Sequence, residues 1–509
     1  FLVELKSKLE GVGVTCRRLS EDEIWNLIKD RAIDDFTGTV KGFIARCRKL
    51  LISPHQLDAM IEGRGVAPKA LRGFWRVASR LYAAYLERLV ATGEEDFDGL
   101  MQRATEIVLK GRTAFARRTR RGDLRRITHL FIDEYQDFSE LFHRLVQAIR
   151  SQNPTVELFC VGDDWQAINA FAGSDLRFFE KFDAFVPGQN RRVVLDRNYR
   201  SCQSVVRVGN AVMDGLGEPA VAHRIDPGRV QIADLADFRP TLRELDMHKG
   251  DDITPAVLRL VGTYASEGRR VVLLSRQKSL PYYVGQSSGR LAGEDGLEQF
   301  LRHVRSRLPE SLRDRVIIST THRFKGREAP VVILLDALAR RYPLIHPNWV
   351  FSEIFGDNPS GITDEERRLF YVALTRAMDE LVIVTRGGDE SPFMSGFTRA
   401  DLTSRIAWGN LPDAVPSGGS VIIMVGNKLG RGPTPTHEIK ELLKAYGYAW
   451  RSVGWPSWWK SVPADRFSLD AVKSEPWAVN ADAVEVRVDG VGENGIQRYL
   501  VSSGSWEAA

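Results

Sequence analysis

Seven short apolar runs constrain this chain more than any other feature. They are "HLFIDE", "ELFCVGDD", "RVVLDRN", "VVLLSRQ", "VIISTTH", "VVILLDA" and "LVIVTR". Most are rich in β-branched residues, and each stops at a polar or glycine-bearing turn, with helix-patterned segments between them. Runs this apolar lack the in–out alternation of a sheet with one wet face. They predict parallel strands covered on both sides by crossover helices, an α/β architecture. There are enough runs for two sheets, and 509 residues suit two to four domains.

Composition narrows the class. The chain is 43% hydrophobic and 27% charged, as soluble globular proteins are. No apolar run approaches the roughly 18 residues of a membrane span, so no membrane partner is expected. Cys16, Cys47, Cys160 and Cys202 are scattered, without a CxxC pair. Neither a zinc site nor a disulfide framework is indicated, and a reducing cytoplasm fits. The net charge of +5 leans toward a polyanionic partner. The lean is local: "GRTAFARRTRRGDLRRI" places seven arginines between 112 and 126, opposed only by Asp123. A solvated helix face is the plain alternative.

The texture divides the chain. Residues 1–125 read as helical, and in "RGFWRVASRLYAAYLERLV" Phe74, Val77, Leu81 and Tyr85 recur at helical spacing. Residues 126–205 and 206–395 carry the strand-like runs. "GNLPDAVPSGGS", 409–420, is a linker by composition, and 420–509 is a small Trp-rich unit.

In parallel sheets, sites form beyond the carboxyl ends of strands. "HLFI" runs straight into Asp133 and Glu134. One carboxylate can hold Mg²⁺ while its neighbour orients or deprotonates a water, a division suited to phosphoanhydride hydrolysis. An acidic loop that caps the next helix is the competing reading. "LFCVGDDWQAINAFAGSD" repeats the arrangement with Gly162, Asp163, Asp164 and Gln166. "LDRNYRS" adds an aromatic face, Tyr199, beside a guanidinium fork, Arg200.

Five segments in order resemble the motifs of the UvrD/Rep group of superfamily 1 DNA helicases: "DEYQD", "GDDWQAINAFAGSD", "NYRS", "THRFKGRE" and "EERRLFYVALTRA". The wording "GDDWQAI" is similar to helicase IV-like members. The resemblance covers roughly residues 95–390. It implies two RecA-like parallel-sheet domains, the first incomplete, with a helical insertion over 1–125; the small α+β unit at 420–509 lies outside it. It implies that Asp133 holds Mg²⁺, Glu134 activates water, and Gln166 senses the γ-phosphate. Tyr199 would stack on the adenine of ATP, Arg200 would reach the γ-phosphate, and Glu328 would meet the ribose. Arg376 would be a second phosphate arginine, given from the other sheet domain. Phe171 and His322 stand where the family contacts DNA. The implied activity is an ATP-driven translocase on single-stranded or tailed duplex DNA, 3′ to 5′, in repair or recombination.

The sequence also departs from that pattern. A GxxxxGK[ST] phosphate loop is absent from these residues; "GNKLGRGPT" lacks the Lys-Ser/Thr ending and follows the last motif. The expectation is a fragment that lacks this loop and by itself hydrolyses ATP poorly. Asn169, Ala170 and Ala172 stand where many relatives carry tyrosine and arginine. The stretch from Gln277 to Val316 is too short for a large inserted subdomain. In the tail, Trp450, Trp455, Trp458 and Trp459 read either as the core of a small domain, the favoured reading, or as an aromatic surface. The rival function is a nucleic-acid-binding module without motor activity.

Overall fold

The computed structural model describes residues 36–65, 67–242, 244, 253–283, 295–414, 420–428, 435–452, 455–490 and 496–509. The helical reading of 1–35, part of the Gln277–Val316 stretch, the middle of the linker and most of "GNKLGRGPT" lie outside them. The chain forms two compact units: the residues up to Leu195 with Pro343–Tyr371, and Asp196–Tyr342 with Val372–Ala509.

The first unit begins with helices. These are α1 (36–49), α2 (Pro54–Gly63), α3 (Lys69–Thr92) and α4 (Phe97–Leu109). Ser53 and Gln56 form a capping box at α2, and Asp96 caps α4 through the Gly99 N–H. Gly93 ends α3 in the left-handed region at φ 67°, which glycine adopts without a Cβ penalty. The core joins Val40, Phe43, Cys47, Leu57, Ile61, Trp75, Ala78 and Tyr82 with Ile354, so the returning segment 343–371 completes it. Phe351 stacks on Phe74 at 3.9 Å and accepts the Trp75 indole N–H at 2.8 Å.

This packing corrects the stripe expected on α3. Phe74 is buried and Tyr85 packs against the core as expected, but Val77 and Leu81 are exposed, and the buried line runs through Leu71, Trp75, Ala78 and Tyr82. Both lines have helical spacing. The one carrying the largest ring and a polar group with a partner is the one buried.

The arginine-rich stretch is not helical either. β1 (Ala114–Arg117) and β2 (Arg120–Asp123) pair antiparallel as a hairpin. Then β3 (His129–Ile132), α5 (Glu140–Gln152) and β4 (Glu157–Cys160) make a parallel β–α–β unit. The expected strand "RVVLDRN" pairs only at its end: β5 (Arg197–Asn198) lies parallel to β6 (Val221–Ala222) in the second unit. Val193, Val194 and Leu195 are unpaired and exposed.

The second unit is built on a six-stranded, all-parallel sheet. Its strands are β7 (Arg229–Asp234), β8 (Val271–Ser275), β9 (Val316–Thr320), β10 (Ala329–Leu334), β11 (Ala377–Thr385) and β12 (Ser404–Arg405), in the order β12-β7-β11-β10-β8-β9. β8 and β10 are buried at nearly every position, as sheets covered on both faces require. The crossover helices α6 (Gln203–Val212), α7 (Ile253–Ser266) and α8 (Gly296–Arg307) supply apolar faces such as Val257, Val261, Phe300 and Val304. α9 (Pro359–Leu374) leads into β11.

The tail forms an antiparallel six-stranded sheet: β13 (Ser420–Asn427), β14 (Ala449–Arg451), β15 (Ser457–Pro463), β16 (Val484–Asp489), β17 (Gln497–Ser502) and β18 (Ser505–Ala508), ordered β14-β15-β13-β16-β17-β18. Trp458 and Trp477 enter its core. Trp455 instead lies over Gly426, where an added Cβ would sit 2.5 Å from the indole, and Arg487 stacks on it at 3.8 Å. The tryptophans therefore divide between core and surface.

Candidate nucleotide and nucleic-acid site

In the first unit, parallel pairing sets Ile132 beside Cys160, so β3 and β4 end at one level. The ladder runs one step further: the Tyr135 N–H donates to the Val161 carbonyl at 2.8 Å, and the Val161 N–H to the Ile132 carbonyl at 2.9 Å. Asp133 and Glu134 therefore emerge at the same edge as Gly162, Asp163 and Gln166. Both acids are exposed. Glu134 sits in the left-handed region, φ 53° and ψ 41°, a strained place for a residue with a Cβ. The turn is held by Asp133 Oδ1, which accepts the Glu134 N–H at 2.8 Å.

Gln136, which sequence reasoning passed over, ties this edge together. It is 1% exposed. Its Nε2 donates to Glu134 Oε2 at 2.5 Å, and its Oε1 accepts the Asp163 N–H at 2.9 Å. Asp163 Oδ2 in turn accepts from Gln166 Nε2 at 2.6 Å. The candidate base and the candidate phosphate sensor are thus joined through two side chains. Gly162 is required here, because a Cβ would lie 2.6 Å from Gln136 Oε1. Further along the loop, Asn169 donates to Asp137 Oδ2 at 2.9 Å and the Ala170 N–H to Glu365 Oε1 at 2.9 Å. Burial, with Glu366 adjacent, lifts the Glu365 carboxyl to about 6. Phe171, between these anchors, is 64% exposed and so is not a core residue.

In the second unit, four predicted residues that are far apart in sequence gather at the amino edge of the parallel sheet. Glu328 and Arg376 directly precede β10 and β11, and the Ala329 N–H donates to the Arg376 carbonyl at 3.0 Å. The Tyr199–Arg200 turn is fastened to the start of β11. Asn198 Oδ1 accepts the N–H groups of Arg200 and Ser201 at 3.0 and 2.9 Å. Ser201 Oγ donates to the Ala377 carbonyl at 2.7 Å, and Arg224 donates to the carbonyls of Arg200 and Met378, both at 3.0 Å. Arg200 Nε donates to Glu328 Oε2 at 2.6 Å. Tyr199 is exposed, with the His223 ring 4.3 Å from one face. Arg376 is 1% exposed; its guanidinium donates to the carbonyls of Val372 and Arg327 at 3.0 and 3.3 Å.

His322 lies at the opposite, carboxyl edge, just past β9. Burial, reinforced by Arg276 and Lys325, pushes its imidazole down to about 4. Beside it Thr321 Oγ1 and the Tyr342 hydroxyl are 2.8 Å apart. Among the described residues no three His, Cys, Asp or Glu side chains cluster as a metal cage. A lone exposed carboxylate such as Asp133 still fits Mg²⁺, which binds through one or two carboxylates plus substrate phosphates and water.

Residues 11–187 match the UvrD/REP helicase N-terminal domain and residues 231–387 the UvrD-like helicase C-terminal domain. DNA helicase IV of Escherichia coli is 27% identical over 68% of this chain and 45% of its own length. ATP-dependent DNA helicase UvrD1 of Mycobacterium tuberculosis is 35% identical over 33% of this chain and 21% of its own. ATP-dependent DNA helicase Rep of Buchnera aphidicola is 28% identical over 41% and 29%. The chain thus spans less than half the length of these relatives. No helix among the described residues is long and apolar enough to cross a membrane.

Proposed function

Because the chain belongs to the UvrD/REP helicase family, we propose that it drives 3′ to 5′ movement along single-stranded or tailed duplex DNA with ATP, in repair or recombination. Asp133 would hold Mg²⁺ together with the nucleotide's phosphates, and the ion when bound neutralises phosphate charge. Glu134, steered by Gln136, orients and deprotonates the attacking water. Gln166 senses the γ-phosphate. Tyr199, backed by His223, offers its open face to the adenine. Arg200 and Arg376 stabilise phosphoryl charge and Glu328 meets the ribose. To reach phosphate, Arg376 would have to give up its bonds to the carbonyls of Val372 and Arg327 and to the Thr375 hydroxyl.

One observation carries this reading. Tyr199, Arg200, Glu328 and Arg376 occupy one edge of the second sheet, while His322 occupies the other. Nucleotide chemistry at one edge and DNA contact at the other suit a rigid sheet that moves as a body. The test uses the full-length protein with 3′- and 5′-tailed duplexes and ATP. DNA-stimulated hydrolysis and opening of the 3′-tailed substrate are expected, both lost in Glu134→Gln while ATP binding persists. DNA binding with no hydrolysis in the unaltered full-length protein would favour a binding module instead.

A further inference from the structure

The arginine-rich hairpin takes no part in the site above. β1 and β2 run antiparallel in the register Ala114↔Asp123 to Arg117↔Arg120, with Arg118 at the turn in the left-handed region, φ 56°. Arg112, Arg118, Arg120, Arg121, Arg125 and Arg126 are all exposed. Among the described residues none of these six makes an ion pair. Only Arg125 finds partners, the Gly111 carbonyl and Gln152 Oε1. The one acid, Asp123, is already engaged: its carboxylate accepts the Arg125 N–H at 2.9 Å, which holds it below the usual carboxylate range. Among the described residues the positive charge of the hairpin is therefore uncompensated.

We propose that this hairpin binds the phosphate backbone of duplex DNA, a contact that rests on the reading of DNA as substrate and adds a second foothold to it. The charge calls for a polyanion, and the shape selects a duplex. A two-stranded ribbon fits the major groove of B-DNA, where phosphates line both walls. Single strands are gripped by free aromatic faces as well as charge. The hairpin carries only one aromatic ring, Phe115, which is 50% exposed and lies over Gly122, where an added Cβ would sit 2.4 Å from its Cζ. Around that single ring the exposed charge is all guanidinium, suited to sequence-independent phosphate contact.

The test compares the full-length protein with a triple variant, Arg118→Ala, Arg120→Ala and Arg121→Ala, and with the triple Arg→Lys variant at the same positions. Binding to a blunt 20-base-pair duplex and to oligo-dT is measured across a salt series. Each lost phosphate contact flattens the slope of log K against log salt by about 0.9 on duplex DNA. The alanine variant should therefore flatten the duplex slope by roughly 2–3 and leave oligo-dT binding unchanged. The lysine variant should keep the unaltered slope, which shows that charge and not folding is read. An unchanged duplex slope in the alanine variant would overturn the proposal, and so would an equal loss on oligo-dT. If the unaltered protein binds neither DNA, the broader reading of function falls as well; if it binds oligo-dT alone, only this proposal does.

Discussion

Arg200 and Glu328 hold one another: Nε of the first donates to Oε2 of the second at 2.6 Å. Their side chains are 36% and 46% exposed, so water and salt screen the pair and it adds only about 0.2–1 kcal/mol to folding. In the proposed nucleotide site, its value would lie in keeping the guanidinium over the amino edge before nucleotide arrives. Glu328→Ala should leave thermal stability within about 1 kcal/mol of the unaltered protein. It should raise KM for ATP several-fold, through loss of the proposed ribose contact and of Arg200's alignment. Thermal melts and ATP titrations on one preparation separate the two effects. A drop in melting temperature without a change in KM would assign Glu328 a purely structural role.

Gln136 positions Glu134, so its loss should appear in turnover and not in affinity. Gln136→Met keeps the volume of the side chain and removes both hydrogen bonds. A misplaced base costs roughly 10- to 100-fold in kcat, with KM for ATP nearly unchanged. The informative comparison is the double variant with Glu134→Gln. If Gln136 acts through Glu134, the second change adds little to the first, because groups that work as a unit are not additive. Fully additive losses, with a lowered melting temperature, would mean that Gln136 only fills the core.

Gln136 also shows where the sequence stops being legible. A glutamine in an acid-rich stretch reads as solvated, and only its two contacts reveal the link. The acids at Asp133 and Glu134 were legible because an apolar run that ends in charge has one place to go, the sheet edge. "RVVLDRN" looked equally like a strand, yet only Arg197 and Asn198 pair. A strand is defined by its neighbours, and composition does not supply them. The stripe on α3 was half misplaced by the same ambiguity: Phe74 and Tyr85 meet the core but Val77 and Leu81 do not, since spacing alone cannot choose between two apolar lines. The amino-edge cluster was visible only as motif wording, because the carboxyl-end rule that locates Asp133 does not locate Glu328 or Arg376.

Glu365 makes stability depend on pH. Burial raises its carboxyl from 4.5 to about 6, so the folded chain binds the proton more tightly than the unfolded one. That contribution is complete below pH 4.5 and is lost as pH rises through about 6; above it the buried charge costs about 2 kcal/mol. Glu365→Gln keeps an acceptor for the Ala170 N–H and removes the charge. The variant should match the unaltered protein near pH 4.5 and exceed it by up to about 2 kcal/mol at pH 8. Asp336, also raised to about 6, tilts both profiles alike, so the difference between them isolates Glu365. Denaturant melts at several pH values provide the check; a difference that does not vary with pH would contradict it.

His322 offers the complementary case, a proposed DNA contact that carries no charge. Its imidazole is held near 4 by burial and by Arg276 and Lys325, so it is neutral throughout the range in which DNA binding is measured. A neutral ring releases no counterion from the phosphate chain. His322→Ala should therefore weaken oligo-dT binding by about 1 kcal/mol, roughly fivefold, through a lost hydrogen bond. The slope of log K against log salt should stay as it was. The loss should also be the same at pH 5.5 and pH 8, since the ring does not titrate between them. A loss that grows as pH falls, together with a flatter salt slope, would show that His322 meets DNA as a cation. In that case DNA itself must raise the imidazole pKa on binding, and the carboxyl edge would work by charge, as the hairpin of the first unit is proposed to do.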